Sequence, residues 1–256
     1  MRNKEYFEMN EIKKPRVIAS IEARMGSSRL PGKVLADVCG QPSLTRLLRR
    51  LRRCKTLDGI ILATSILPKD DPLEEWAKSE NLIIHRGSEE DVILRVVEAQ
   101  KKMKSDVVVE ITGDCTLLDP EIIDMGVTTF LENDCDVLLS APEQYPGGMD
   151  VLVYNYEILE ENEKTQFDPL IREHVAYYIV RHPEIYKTLK LYPPERWKAP
   201  EYRFMLDYPE DLEFIRKVYK RLEPLFGDEF GIEEIISLVG QEPDLLEINR
   251  YCGKEL

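Results

Sequence analysis

Nothing in this 256-residue sequence approaches the roughly eighteen consecutive apolar residues that a membrane-spanning helix needs. Met1 to Lys14 is polar and lacks the apolar core of a secretory signal, so a cytoplasmic protein is expected. Basic residues are in deficit: 35 Lys and Arg against 48 Asp and Glu leave a net charge of −13. That balance argues against a general nucleic-acid binder, whose phosphate contacts need a positive field. The five cysteines, at 39, 54, 115, 135 and 252, are odd in number and never form C-x-x-C. A reduced protein without structural zinc is the simplest reading. There is no G-x-S-x-G and no cysteine in an activating context, so Ser–His–Asp and Cys–His hydrolase chemistry has no support. Internal repeats and low-complexity segments are also missing.

What is present is an ordinary globular composition, 43% hydrophobic and 32% charged, in a chain long enough for one large domain. Its most informative stretch runs from Ala19 to Lys33. An apolar run, Val17 to Ile21, reads as a buried strand. It leads into a loop carrying Gly26, Gly32, Ser27, Ser28 and the cations Arg24, Arg29 and Lys33. Glycines let backbone N–H groups approach oxygens closely, and serines add donors. Arginine forks grip phosphate bidentately, and lysine supplies a compact charge. The pattern suits a polyphosphate. It is not a Walker loop, because Val34 follows Lys33.

Apolar runs at Val17–Ile21, Gly59–Thr64, Leu82–His85, Asp106–Ile111 and Asp136–Ser140 read as strands. Between them, Leu44, Leu47, Leu48 and Leu51 mark one face of an amphipathic helix, whose arginines 46, 49, 50, 52 and 53 read as a solvated face. Val92, Ile93, Val96 and Val97 mark a second, with Ser88 and Asp91 suited to its start, and a third follows Asp119-Pro120. Strand–helix alternation predicts a doubly wound, mostly parallel α/β sheet with helices on both faces. Ligands then sit outside the carboxyl ends of the strands. After residue 141 the pattern changes. Val151–Tyr154 reads as a strand leaving the main sheet, Pro169 to Arg181 as helix, Tyr186–Tyr192 as strand, Tyr202–Leu206 as a returning strand, and Pro209 to Leu222 as a strong helix.

Two aspartates stand at strand ends. Asp114 closes Asp106–Asp114, and Asp207 closes Arg203–Asp207 directly before a helix. A carboxylate facing a triphosphate is a natural Mg²⁺ ligand, because Mg²⁺ takes oxygen and shares itself with phosphates. The alternatives are a turn residue for Asp114 and a helix N-cap for Asp207.

The segment Glu22-Ala-Arg-Met-Gly-Ser-Ser-Arg-Leu-Pro-Gly-Lys33 resembles the signature loop of the sugar-activating cytidylyltransferases, among them the CMP-ulosonic acid and CMP-sialic acid synthetases and the spore-coat-polysaccharide type. The resemblance covers roughly residues 16 to 220. It implies a nucleotide-diphospho-sugar-transferase-like fold, CTP as nucleotide, Mg²⁺ as cofactor, and a small acidic or phosphorylated sugar-like acceptor. It further implies a single domain over residues 15–240, an inserted arm or dimerisation element at about 145–200, a flexible extension over 1–14, a tail over 241–256, and a homodimer. Arg24 and Lys33 would be catalytic, with Ala23, Gly26, Ser27, Ser28 and Arg29 around the nucleotide. Asp114 and Asp207 match the family's two magnesium ligands, and Asp211 a later aspartate of the D-x-P-x-D-L motif. Thr112 stands where the ulosonic acid enzymes usually carry Gln.

Arg86 to Arg95 resembles the family's R-G-x-x-x-D-V-L-x-R, which makes Ser88 and Arg95 candidate nucleotide contacts, or else a cap and a surface charge. Gly147-Gly-Met-Asp150 resembles an acceptor-side G-x-D-x-E, with Leu152 at the glutamate position. Arg172-Glu-His174 resembles R-E-H-V, so Asp150, Arg172, Glu173 and His174 are candidates for the acceptor pocket, the last two also for a dimer contact. The expected reaction is transfer of CMP from CTP with release of pyrophosphate, for surface polysaccharide or glycoconjugate synthesis. A nucleotidyltransferase using another NTP, such as GTP with a sugar 1-phosphate, and an inactive nucleotide-binding scaffold remain as alternatives.

Overall fold

The computed structural model describes residues 14–253, so the extension expected over 1–14 lies, but for Lys14, outside the described residues. Strand β1 (Val17–Glu22) runs into the glycine–serine loop, a small hairpin of β2 (Asp37–Val38) and β3 (Gln41–Pro42), and α1 (Ser43–Leu51). Then β4 (Gly59–Ser65), α2 (Asp71–Ser79), β5 (Ile83–Gly87), α3 (Val92–Met103), β6 (Val107–Thr112), α4 (Pro120–Glu132) and β7 (Val137–Ser140) alternate. The second half adds β8 (Leu152–Asn155), α5 (Tyr156–Thr165), α6 (Pro169–Glu173), α7 (Tyr177–Arg181), β9 (Thr188–Leu191), α8 (Pro209–Phe226), α9 (Ile232–Gln241) and α10 (Asp244–Glu247).

The main sheet has seven strands in the order β5-β4-β1-β6-β8-β7-β9. β5, β4, β1 and β6 are mutually parallel. Both faces of β1 are covered, as in parallel sheets generally, and Val17 to Ile21 are buried. Val17, Ala19 and Ile21 join the core beneath α1, α4 and α8, while Ile18 joins the core beneath α3, α5 and α7. The chain leaves β1 towards β4 on one side and reaches β6 on the other, so the switch of direction lies at the carboxyl end of β1. The glycine–serine loop starts there.

Three expectations are corrected. The strand at Leu152–Asn155 does not leave the sheet; β8 inserts antiparallel between β6 and β7. Tyr202–Leu206 is not a strand but an extended segment with one isolated bridge, Arg203 to Gly147 in the loop between β7 and β8. Residues 169–181 form two short helices, broken between Glu173 and Tyr177.

The arginine face of α1 is also not simply solvated. Arg46 and Arg50 are each only 1% exposed. Arg46 donates to the Val38 carbonyl and to Glu223 and Asp228, and lies over the Tyr219 ring. Arg50 donates to the Phe230 carbonyl and covers the Phe230 ring. The two guanidiniums pin α1 to α8 and to the turn after it. Within residues 242–253, buried Asn249 donates to the Arg203 carbonyl and to Asp211.

Candidate active site

The loop after β1 is held from below. Met25 N–H donates to Asp70 Oδ1 at 2.7 Å, and the loop closes on itself through Gly32 N–H to the Met25 carbonyl at 3.0 Å. Gly32 sits in the left-handed region, φ 72°, which suits glycine, and the chain then turns directly into Lys33. The end of β6 comes so close to β1 that a Cβ on Gly113 would lie 2.9 Å from Ala23 Cβ. Only glycine allows that approach, and it places Asp114 beside the loop.

The two aspartates meet on one lysine. Lys33 Nζ lies 2.6 Å from Asp114 Oδ2 and 2.8 Å from Asp207 Oδ1. Arg29 Nη2 reaches Asp207 Oδ1 at 2.7 Å, and Arg203 Nη2 reaches Asp207 Oδ2 at 2.9 Å. Burial alone would raise the Asp207 carboxyl; the cations Lys33, Arg203 and Arg29 outweigh it and hold it below the usual range. The helix-cap alternative for Asp207 is not what its side chain does. The start of α8 is capped by Asp211, which is fully buried and accepts the backbone N–H groups of Asp207 and Tyr208 at 2.9 and 3.0 Å. Arg203 braces Asp207 and Asp211 together. The sequence signal for that brace is the recurrence of Arg203, Asp207 and Asp211 at intervals of four. Gly148 completes the support: at φ +88° it passes Met205 so closely that a Cβ would sit 2.8 Å from the Met205 nitrogen.

These carboxylates fit a hard dication. Both bond to one ammonium, so one cationic centre reaches both. Among the described residues no three or more His, Cys, Asp or Glu groups converge on a metal position. A pair of carboxylates with the remaining ligands from phosphate and water is how Mg²⁺ is commonly held.

A cavity of about 560 Å³ opens over this cluster. Its wall includes Ala23, Arg24, Gly26, Ser27, Ser28, Arg29 and Lys33, and also Arg95, Thr112, Asp114, Glu173 and His174. Arg24 spans the mouth, 3.7 Å from Glu89 and 3.6 Å from Glu173. Ion pairs so open to solvent are weak, so the guanidinium is available to a ligand. Four expected residues lie off this wall, the first being Asp207, which is bound to Lys33 and Arg29. Ser88 Oγ accepts the Asp91 N–H at 3.0 Å in the turn before α3. Arg172 is bound to Asp91 and Glu163 and ties α6 to α3. Asp150 faces solvent at one side, yet surrounding protein still pushes its carboxyl above the usual range.

Two residues absent from the sequence-based expectations lie on the α3 face of the sheet, Glu22 on the cavity wall and Glu110 beside it. Glu22 ends β1 on the α3 side of the sheet and lines the cavity. Glu110, on the same face of β6, accepts from the Tyr154 hydroxyl at 2.9 Å. Burial pushes the Glu110 carboxyl up to about 7. Glu22 is also well above the usual range, through burial and then the charge of Glu110. Glutamates inside apolar strand runs were the available signal.

Comparison with known proteins agrees with this geometry. The family model for cytidylyltransferases matches residues 18–234. The spore coat polysaccharide biosynthesis protein SpsF of Bacillus subtilis (strain 168) is 34% identical over 235 residues, 89% of this chain and 95% of that protein. A 3-deoxy-manno-octulosonate cytidylyltransferase of Chloroherpeton thalassium is 27% identical over 224 residues, covering 78% of this chain and 84% of that one. The solved structure of a cytidylyltransferase from Leptospira borgpetersenii superimposes with a TM-score of 0.85 at 28% identity, over 94% of this chain and 99% of its own. The signature loop, the sheet that carries it and the match along most of the chain agree: this protein belongs to the cytidylyltransferase family of nucleotidyltransferases.

Proposed function

We propose that the protein transfers CMP from CTP to an anionic or hydroxyl oxygen of a small acidic or phosphorylated sugar, in a Mg²⁺-dependent reaction that releases pyrophosphate. The observation that carries this reading is the meeting of Lys33 with Asp114 and Asp207 at 2.6 and 2.8 Å, under a glycine–serine loop at the sheet's switch point. Such chemistry needs positioning and charge neutralisation more than covalent help. The backbone of Gly26 to Ser28 and the cations Arg24, Arg29 and Lys33 hold the triphosphate. The acceptor oxygen attacks the α-phosphorus in line. A new bond forms there as the bond to the bridging oxygen of the β-phosphate breaks, and pyrophosphate leaves with the electron pair. Lys33 and Arg24 balance the charge that develops on that leaving group. Asp114 and Asp207 would hold Mg²⁺, which supplies Lewis-acid polarisation of the phosphoryl oxygens when bound. Glu173 and His174 share the cavity with Thr112 and would bind the acceptor or take its proton. The acceptor class is supported by the named activities of the relatives, one a spore coat polysaccharide biosynthesis protein and one a 3-deoxy-manno-octulosonate cytidylyltransferase.

The test is pyrophosphate release with each of the four NTPs against a panel of acidic sugars and sugar phosphates. CTP should support release with at least one acceptor. Release with GTP or ATP and none with CTP would move the protein to a different nucleotidyltransferase activity.

A further inference from the structure

Asp207 is gripped at both ends by one buried carboxylate. Asp211 Oδ2 accepts the Asp207 backbone N–H at 2.9 Å, and Asp211 also holds the guanidinium that reaches the Asp207 side chain. That guanidinium lies across both acids. Arg203 Nε and Nη2 each stand 3.0 Å from an oxygen of Asp211, and Nη2 also reaches Asp207 Oδ2 at 2.9 Å. Asp207 Oδ2 is thereby taken. Oδ1 is the oxygen that shares Lys33 with Asp114, so it is the one that an ion between the two aspartates meets. The end of the described chain seats this fork. Asn249 is 3% exposed, and both hydrogens of its amide are committed: Nδ2 donates to Asp211 Oδ1 at 2.9 Å and to the Arg203 carbonyl at 3.1 Å. The Cys252 N–H closes a turn onto the Asn249 carbonyl at 3.1 Å. The turn brings Gly253, at φ +74°, over the same guanidinium, where a Cβ would lie 3.2 Å from Arg203 Nη1.

We propose that Asn249 is a positioning residue for Asp207, acting through Asp211 and Arg203 to keep Asp207 Oδ1 turned towards the metal. The inference rests on the reading of Asp114 and Asp207 as a Mg²⁺ site and extends that site to the last turn of the described chain. Without the Asn249 amide, a fully buried carboxylate is short of a donor and the Arg203 carbonyl loses its partner. Asp211 then competes harder for Arg203, and the fork has no fixed place from which to hold Asp207. Groups that orient a metal's ligands without touching the ion tune its affinity by about 10–100-fold. Asn249→Leu is close in volume and changes no charge near Asp207. A change in metal affinity in that variant therefore reports the position of the carboxylate and not its neutralisation.

The experiment titrates Mn²⁺, an oxygen-seeking stand-in for Mg²⁺, into the nucleotide-free protein and reads the free ion by electron paramagnetic resonance. Melting temperatures are measured alongside. Asn249→Leu should weaken Mn²⁺ binding about tenfold relative to wild type. Asn249→Ser keeps one donor and should fall between the two, and it carries the same test if the leucine variant does not fold. Arg203→Lys keeps the positive charge and loses the fork, so it should weaken binding by a similar factor. Combining Asn249→Leu or Asn249→Ser with Arg203→Lys should cost little more than Arg203→Lys alone, because members of one hydrogen-bond network are not additive. A lower melting temperature with Mn²⁺ affinity within about twofold of wild type would make Asn249 a structural brace only and overturn the inference. Losses that multiply in the double variant would overturn the route through Arg203. A wild type that binds no Mn²⁺ would instead remove the two-carboxylate reading on which the inference rests.

Discussion

Replacing Lys33 with methionine keeps the side chain's length and removes its charge. In the folded protein that charge sits between Asp114 and Asp207 and is only 11% exposed. Two like charges 4 Å apart in such a setting repel by about 4 kcal/mol at an effective dielectric near 20. Asp207 keeps Arg29 and Arg203, so most of its charge stays balanced. The net loss of stability should therefore be smaller, about 1–3 kcal/mol. Turnover should fall further, because Lys33 also balances the charge that develops on the leaving pyrophosphate. Losing one such contact costs about 10²–10³ in kcat. The same deletion removes a cation that competes with a metal for the two carboxylates. Mg²⁺ measured without nucleotide should therefore bind Lys33→Met more tightly than wild type. Pyrophosphate release, magnesium titration and chemical denaturation separate the three effects. Turnover within about threefold of wild type would show that Lys33 is a structural brace and not part of the reaction.

Further outcomes follow from other parts of the molecule. Glu110 titrates at about 7 in the folded protein against an ordinary 4.5, so its contribution to stability is full below 4.5 and is lost as pH rises through about 7. Glu110→Gln, which stays neutral and can still accept from Tyr154, should gain melting temperature relative to wild type between pH 5 and pH 8; a gap that does not change with pH refutes the buried-acid assignment. Arg46→Ala should cost about 3 kcal/mol in urea unfolding, because it strips Glu223 and Asp228 of a shared partner and opens a hole against Tyr219. A change below about 0.5 kcal/mol would return that arginine to the solvated face that its sequence suggested.

The parts of this molecule that were legible in the sequence are those encoded locally. Val17 to Ile21 is apolar at every position but Ser20, and only a strand covered on both sides uses such a run. The loop from Arg24 to Lys33 carries its chemistry in consecutive residues. Asp114 follows the apolar run of β6, so its placement at the sheet's edge followed from the architecture, whereas Asp207 arrives from an extended segment and not from the strand that its apolar run suggests. What failed depended on partners distant in the chain. Leu152–Asn155 has the same apolar character whether it joins the sheet or leaves it, and its antiparallel insertion is decided by the neighbours β6 and β7. Arg46 and Arg50 look like surface charges until Glu223, Asp228 and Phe230, more than 170 residues away, arrive to pair with them. Arg203 is a different case: its partners Asp207 and Asp211 are near in the sequence, but they face it only once the extended segment turns into α8.

The measurement that bears most directly on the account is magnesium-dependent turnover of Asp114→Asn, Asp207→Asn and the double variant, with melting temperatures alongside. Asn keeps the shape of the side chain and one acceptor oxygen but loses the charge that a hard dication requires. If the two carboxylates serve one metal, each single variant should stay folded and lose turnover. The double variant should then lose little more than either, because residues that act as a unit are not additive. Full activity in Asp207→Asn would contradict the two-carboxylate site, and unchanged activity in all three would contradict catalysis at this cluster.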